Sequence, residues 1–277
     1  MFRRNSACLF NRTAKDNYKT NSGKELSLSQ TYVYDPSRYE LVGNFIKEHP
    51  NISLSYDKIL KKKVIVKKCR FFEKELTSLQ FTDCKFIEKM LHYDVLQKIV
   101  IYNFRENRDL NYYMAYNPFT IEQSTNVVLK PILQALQYMH NKKYAHRDVK
   151  PENILYFDDG CKLIDFEFCE KLPSRGHFSN RNGTPEFMSP ELTYRKGCLE
   201  SDLWSLGMVY YECLHKKLPF ETSSHDQIFD MIRKQRFLIK IDLDLTVITI
   251  LKILLGSITT RKNCYNDIFR LIESCSF

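Results

Sequence analysis

The stretch that most constrains this chain is His146-Arg147-Asp148-Val149-Lys150-Pro151-Glu152-Asn153, where charged and polar side chains crowd together and a proline bars a helix interior. Before it, Leu129, Ile132, Leu133, Leu136 and His140 recur at helical spacing and predict one buried helix face. After it, Ile154-Leu-Tyr-Phe and Cys161-Lys-Leu-Ile flank Asp158-Asp-Gly, the pattern of a tight hairpin. A charged loop is therefore expected between a helix and a hairpin.

The rest of the chain divides unevenly. Residues 1 to about 36 are polar and basic without a period and predict a flexible tail. Strand patterns follow in Tyr39-Glu-Leu-Val, Ile52-Ser-Leu-Ser-Tyr and Val64-Ile-Val-Lys. Thr82 or Asp83 could cap a helix whose stripe is Cys84, Ile87 and Leu91. Two more strands are expected at 98–104 and 110–116. Helices dominate from about residue 124, with a central buried one at 201–214 and others near 224–236, 245–255 and 265–274. Strands first and helices later predict an α+β protein with a small β-rich lobe, about 37–116, and a larger helical lobe, about 117–277.

Composition narrows the partners. Lys plus Arg number 42 against 33 Asp plus Glu, a net charge of +9 that favours phosphates, nucleotides and acidic protein segments. No run interleaves aromatic and basic residues, so nucleic-acid binding is not expected. Lys61, Lys62, Lys63, Lys67 and Lys68 read as a strand with solvated basic edges. The nine cysteines are scattered and form no Cys-x-x-Cys, which argues against a disulfide framework or a zinc site. A reducing compartment, cytoplasmic and/or nuclear, is expected. The N-terminus lacks the apolar core of a signal peptide, and 245–255 is too short to span a bilayer and contains Lys252, so no membrane role is expected.

Residues 146–153 resemble the catalytic loop of the eukaryotic-type serine/threonine protein kinase superfamily. The resemblance implies the bilobal protein-kinase fold, with Mg2+ and ATP bound between the lobes. It makes Asp148 the catalytic base, Lys150 a contact to the transferring phosphate and Asn153 a magnesium ligand. Asp165-Phe-Glu is similar to the family's Asp-Phe-Gly, so Asp165 would chelate the metal. Glu167 replaces the glycine and is expected to stiffen the loop. Val64-Ile-Val-Lys67 is similar to Val-Ala-Ile-Lys, which would place Lys67 on the α- and β-phosphates, with Ile65 narrowing the adenine pocket. Glu88 is the favoured partner for that lysine, because Glu73 and Glu75 follow it so soon.

The glycine-rich phosphate loop is degenerate. It reads from Val42 and Gly43 through Lys47 and His49, with a single glycine. The 110–116 stretch resembles the fifth strand and hinge, with Met114 as gatekeeper and Ala115 and Tyr116 facing adenine. Thr184 would bond Asp148 and Lys150, Glu191 would pair with Arg261, and Asp202 would bond the catalytic-loop backbone. Arg147 could pair with a phosphate on the segment between Asp165 and Glu191, where Ser174 and Ser179 are the hydroxyls in reach. The implied activity is phosphoryl transfer to Ser/Thr of protein substrates, with room for a regulatory protein partner. The alternative, drawn from Glu167, Ile65 and the missing glycines, is a pseudokinase acting as a nucleotide-binding or allosteric module.

Overall fold

The structure, a computed structural model, describes residues 18–19, 25–26, 34–44, 50–106, 109–235, 238–239 and 243–275. Its contacts divide the chain into two units, Met1–Glu73 with Met90–Asn103, and Lys74–Lys89 with Phe104–Phe277. Most of the expected tail lies outside the described residues. Within it, Tyr18–Lys19 pairs antiparallel with Glu25–Leu26.

The smaller unit holds a five-stranded antiparallel sheet. Its strands are β1 (Tyr39–Asn44), β2 (Ile52–Asp57), β3 (Lys62–Lys68), β4 (Met90–Asp94) and β5 (Ile99–Asn103), in the order β1-β2-β3-β5-β4. The expected strands at 39–42, 52–56, 64–67 and 98–104 all fall here. Val64 and Val66 alternate onto one face and pack with Tyr39, Ile99 and Ile101. Strand alternation therefore turns Ile65 and Lys67 to the other face. The β2–β3 turn is pinned by Asp57, whose carboxylate accepts from Arg38 Nη2 at 2.6 Å and from the Ile59 and Leu60 amides.

Two expected elements are different. No helix runs from Thr82 or Asp83; residues 82–89 are turns and extended backbone. The helix after β3 comes earlier, as α1 (Phe72–Glu75) continued by a 3-10 turn over Leu76–Phe81. The reason is backbone pairing. Leu163 N donates to Phe86 O at 2.8 Å and Glu88 N donates to Leu163 O at 3.1 Å, so these groups serve a strand-like bridge. Cys84 and Ile87 still bury, but in the core of the larger unit, whereas Leu91 packs on the small core.

The second difference is Leu110–Tyr116, which is helix α2 and not a strand. Asp109 caps it, accepting from Tyr112 N at 2.8 Å. Its tyrosines favour strands only where a pleated neighbour exists. Here Tyr113 instead stacks on Tyr156, with ring centroids 3.7 Å apart. The helix belongs to the larger unit, which takes up the chain again from Phe104.

The larger unit is helical. Its main helices are α3 (Lys130–Asn141), α4 (Ser201–His215), α5 (His225–Lys234), α6 (Leu245–Leu254) and α7 (Tyr265–Ser274). Leu129, Ile132, Leu133, Leu136 and His140 are all buried, as their spacing predicts. α4 is the central helix, with Leu203, Trp204, Leu206, Met208, Val209 and Tyr210 at 1% exposure or less. The hairpin forms as expected: Ile154–Leu155 pairs with Lys162–Leu163. Gly160 turns it with φ +125, and a Cβ there would lie 3.0 Å from the Pro131 ring. Among the described residues no helix is long and apolar enough to cross a membrane.

Candidate active site

The charged loop 146–153 follows α3 and the short strand Tyr144–Ala145, which pairs with Glu170–Lys171. Its backbone hangs on Asp202 in the first turn of α4. Asp202 Oδ2 accepts from His146 N at 2.8 Å and His140 Nε2 at 3.0 Å, and Oδ1 accepts from Arg147 N at 2.8 Å. Burial pushes this carboxyl up. The hydrogen bond and charge of His140, with the help of His146 and the Arg147 amide, outweigh that and hold it below the usual range. Tyr265 Oη lies 2.6 Å from His140 Nδ1 and fixes that ring in turn. Held this way, Arg147 adopts a left-handed φ of 72°, and the chain bends to present Asp148.

Asp148 is 7% exposed, and both of its oxygens are occupied. Oδ2 accepts from Asn153 Nδ2 at 2.9 Å and lies 3.0 Å from Lys150 Nζ. Oδ1 accepts from Thr184 N and Oγ1, each at 3.0 Å, and Lys150 donates to Thr184 Oγ1 at 2.9 Å. The Thr184 backbone can approach only because Gly183 precedes it. Gly183 has φ +111, and a Cβ there would sit 2.6 Å from Arg147 O. The product is an ionisable carboxylate aimed by a cation, an amide and a hydroxyl, a group suited to orient a hydroxyl and take its proton.

Oxygen donors for a hard cation stand nearby in sequence. Both amide hydrogens of Asn153 go to Asp148, to its backbone O at 2.8 Å and to Oδ2. That orients the amide and leaves Asn153 Oδ1 without a protein partner among the described residues. Asp165 follows the hairpin with a left-handed φ of 63°. It is set by its neighbour Phe166, which is 1% exposed, lies against His146 at 5.1 Å between centroids, and donates its N–H to Glu75 Oε2 at 3.0 Å. A carboxylate and an amide oxygen are the donors that magnesium takes alongside phosphate oxygens, so these residues fit Mg2+.

A family model described as protein kinase domain matches residues 42–275. The chain belongs to the protein kinase family. It is 33% identical to 3-phosphoinositide-dependent protein kinase B of Dictyostelium discoideum over 65% of this chain and 21% of that protein. It is 33% identical to human death-associated protein kinase 2 over 48% of this chain and 40% of that protein. It is 34% identical to the serine/threonine-protein kinase ATG1 of Debaryomyces hansenii over 51% and 19%. The chain thus spans between about a fifth and two fifths of the length of these relatives.

Three structural expectations from the kinase resemblance are met. Thr184 bonds Asp148 and Lys150, and Asp202 carries the catalytic-loop amides. Arg261, fully buried, donates Nη2 to Glu191 Oε1 at 2.5 Å, with Trp204 beneath its guanidinium at 5.4 Å. Lys67 lies on β3, 9% exposed, paired in register with Val100. Val42 is on β1 and 50% exposed. Lys47 and His49 lie outside the described residues. Gly43 has space around it and an ordinary φ, and Glu167 also lacks a positive φ, so the backbone demands glycine at neither position.

The hinge assignment does not survive. Met114, Ala115 and Tyr116 sit on helix α2, where Met114 Sδ lies 3.5 Å from Cys213 Sγ and Tyr116 is 71% exposed. With the strand goes the reason for placing adenine there. Glu88 is also elsewhere than expected. It is buried beside the hairpin, 3.2 Å from Lys162 Nζ and 3.7 Å from Arg105 Nε, on extended backbone and not on a helix. Of the two acidic residues on the helix after β3, Glu73 is exposed and Glu75, so close to Lys67 in sequence, is fully buried. One signal could have found it. Phe72, Glu75 and Leu76 share one helix face, and a glutamate on an apolar stripe needs a reason.

Glu75→Ala should strip the buried Phe166 N–H of its acceptor. A loss of about 1–3 kcal/mol is expected, read as a lower midpoint in urea unfolding, and an unchanged midpoint would count against that bond. A second prediction concerns pH. Glu212 on α4 is pushed up to about 7 by burial and by the charge of Glu152. Because its folded pKa lies above its unfolded one, its contribution is complete below the unfolded carboxylate range and is lost as pH rises towards and through 7. Glu212→Gln should therefore be more stable than the parent at pH 8 and no more stable at pH 4. Parallel melting curves at both pH values test this.

Proposed function

We propose that the chain is an active serine/threonine protein kinase, transferring the γ-phosphoryl group of ATP to Ser/Thr hydroxyls of protein substrates. One observation carries this reading: the Asp148 carboxylate is locked by Asn153, Lys150 and Thr184 in an orientation that serves an incoming hydroxyl. Asp148 accepts the hydroxyl proton as the substrate oxygen bonds to the γ-phosphorus and the β–γ bridging bond breaks, releasing ADP. Lys150 steadies charge on the transferring group. Asn153 Oδ1 and the Asp165 carboxylate hold magnesium, which offsets phosphate charge when bound. Lys67, on the strand that resembles the family's Val-Ala-Ile-Lys, would hold the α- and β-phosphates. Scattered cysteines, free thiols at all eight described positions, support a reducing cytoplasmic and/or nuclear location.

The test is transfer of labelled γ-phosphate to a mixed protein substrate with magnesium, beside Asp148→Asn. Label that vanishes in the variant supports the reading. Absence of label with the parent protein overturns it.

A further inference from the structure

Kinases that carry Arg before the catalytic Asp commonly use it to bind a phosphate on the activation segment, here 165–191, and that pairing orders the segment. In this chain the arginine is already engaged. The Arg147 side chain is 3% exposed. Its Nη1 donates to Glu170 Oε2, and Nη2 donates to Asn180 O at 3.0 Å and Asn180 Oδ1 at 2.7 Å. The Phe178 ring covers the guanidinium, 4.5 Å from centroid to Cζ. Only Nε lacks a partner among the described residues, and it is buried.

Glu170 also receives a second cation. Lys74 Nζ lies 3.8 Å from the same Oε2. Two positive groups therefore converge on one carboxylate, as they would on a phosphate. The position is rigid, because Glu170 belongs to the short strand paired with Tyr144–Ala145, immediately before the catalytic loop. Arg147 in turn gives its amide to Asp202, and its carbonyl abuts Gly183. A pull on its guanidinium is thus transmitted to Asp148 on one side and to the Gly183–Thr184 backbone on the other. Ser174 and Ser179, by contrast, are exposed and appear in none of these contacts.

We propose that Glu170 is a positioning residue that clamps Arg147 in place of a phosphate, so that this kinase reaches its working geometry without phosphorylation of the activation segment. The inference rests on the proposed kinase activity. The built-in carboxylate carries one negative charge, is supplied by the chain itself and cannot be removed by a phosphatase. Phosphate added at Ser179 would find the arginine donors occupied and would raise turnover little.

The experiment compares four proteins: the parent freed of phosphate by phosphatase and checked by intact mass, the Ser174→Ala/Ser179→Ala double variant, Glu170→Gln and Glu170→Asp. The first two should keep the parent kcat within about twofold. Glu170→Gln loses the charge on a buried guanidinium and should lower kcat about tenfold or more, with KM for ATP nearly unchanged, and Glu170→Asp should restore part of it. A tenfold loss on dephosphorylation, or full activity in Glu170→Gln, overturns the proposal. Amide hydrogen exchange across 170–183 supplies a readout that needs no turnover. It should quicken in Glu170→Gln while the melting temperature stays near the parent's, and unchanged exchange would also overturn the clamp. If the parent itself transfers no phosphate, the kinase reading fails, and exchange still decides the clamp separately.

Discussion

Asp148→Asn is expected to lower phosphoryl transfer about a thousandfold, the size of a lost general base. That corresponds to roughly 4 kcal/mol of transition-state stabilisation. The local geometry makes the loss severe, because every neighbour of this carboxylate is a donor. Oδ1 faces the Thr184 amide and hydroxyl; Oδ2 faces the Asn153 amide and the Lys150 ammonium. An asparagine must turn its NH2 towards one of these pairs, whichever way it flips. It therefore disturbs the aim of Thr184 or Asn153 besides removing the base. The nucleotide-induced rise in melting temperature should persist, since Asp148 is proposed to serve the hydroxyl and not the nucleotide. Transfer within tenfold of the parent would refute the role.

Asp202→Asn is expected to have the largest effect on stability. The carboxylate is buried and accepts three N–H groups, from His146, Arg147 and His140. Asparagine can turn its oxygen to His146 and His140, but its NH2 then opposes the Arg147 donor; in the other flip it opposes both histidine groups. At least one buried donor loses its acceptor and the others lose a charged one, at a cost of about 3 kcal/mol. For a chain of this size the melting temperature should fall by roughly 6–12 °C. Transfer should fall as well, since Arg147 and Asp148 ride on these bonds. The pH dependence gives a second check. A carboxyl held below its unfolded pKa stabilises above the unfolded value and loses that contribution as pH falls through the folded one. The parent should thus lose part of its margin in acid, and the variant should lose less. A melting temperature within about 2 °C of the parent would sink this account.

The chemistry-bearing segments were legible because their information is local. A helix stripe, an Asp-Gly turn and the run 146–153 each depend on residues close in sequence, and so do the left-handed turns and short-range bonds they encode. The proposed catalytic residues lie in that run and at Asp165, with Thr184 beside them, so they can be named before any geometry is known. The first strands were legible for the same reason: Val64 and Val66 alternate with Ile65 and Lys67, and that period survives any tertiary arrangement.

Tertiary structure decided three matters. Leu110–Tyr116 has the aromatic composition of a strand, yet no strand among the described residues pairs with it, and a cap at Asp109 with stacking on Tyr156 makes it a helix. Cys84 and Ile87 have helical spacing, but backbone bonds to Leu163 draw that stretch out, so Glu88 is buried on extended backbone and the buried carboxylate on the helix after β3 is that of Glu75. The engagement of Arg147 by Glu170 and Asn180 joins residues separated by 23 and 33 positions. Spacing along the chain carries no information about such a meeting. It arises because the strand beginning at Glu170 pairs with Tyr144–Ala145, and only the folded backbone brings that carboxylate to that guanidinium.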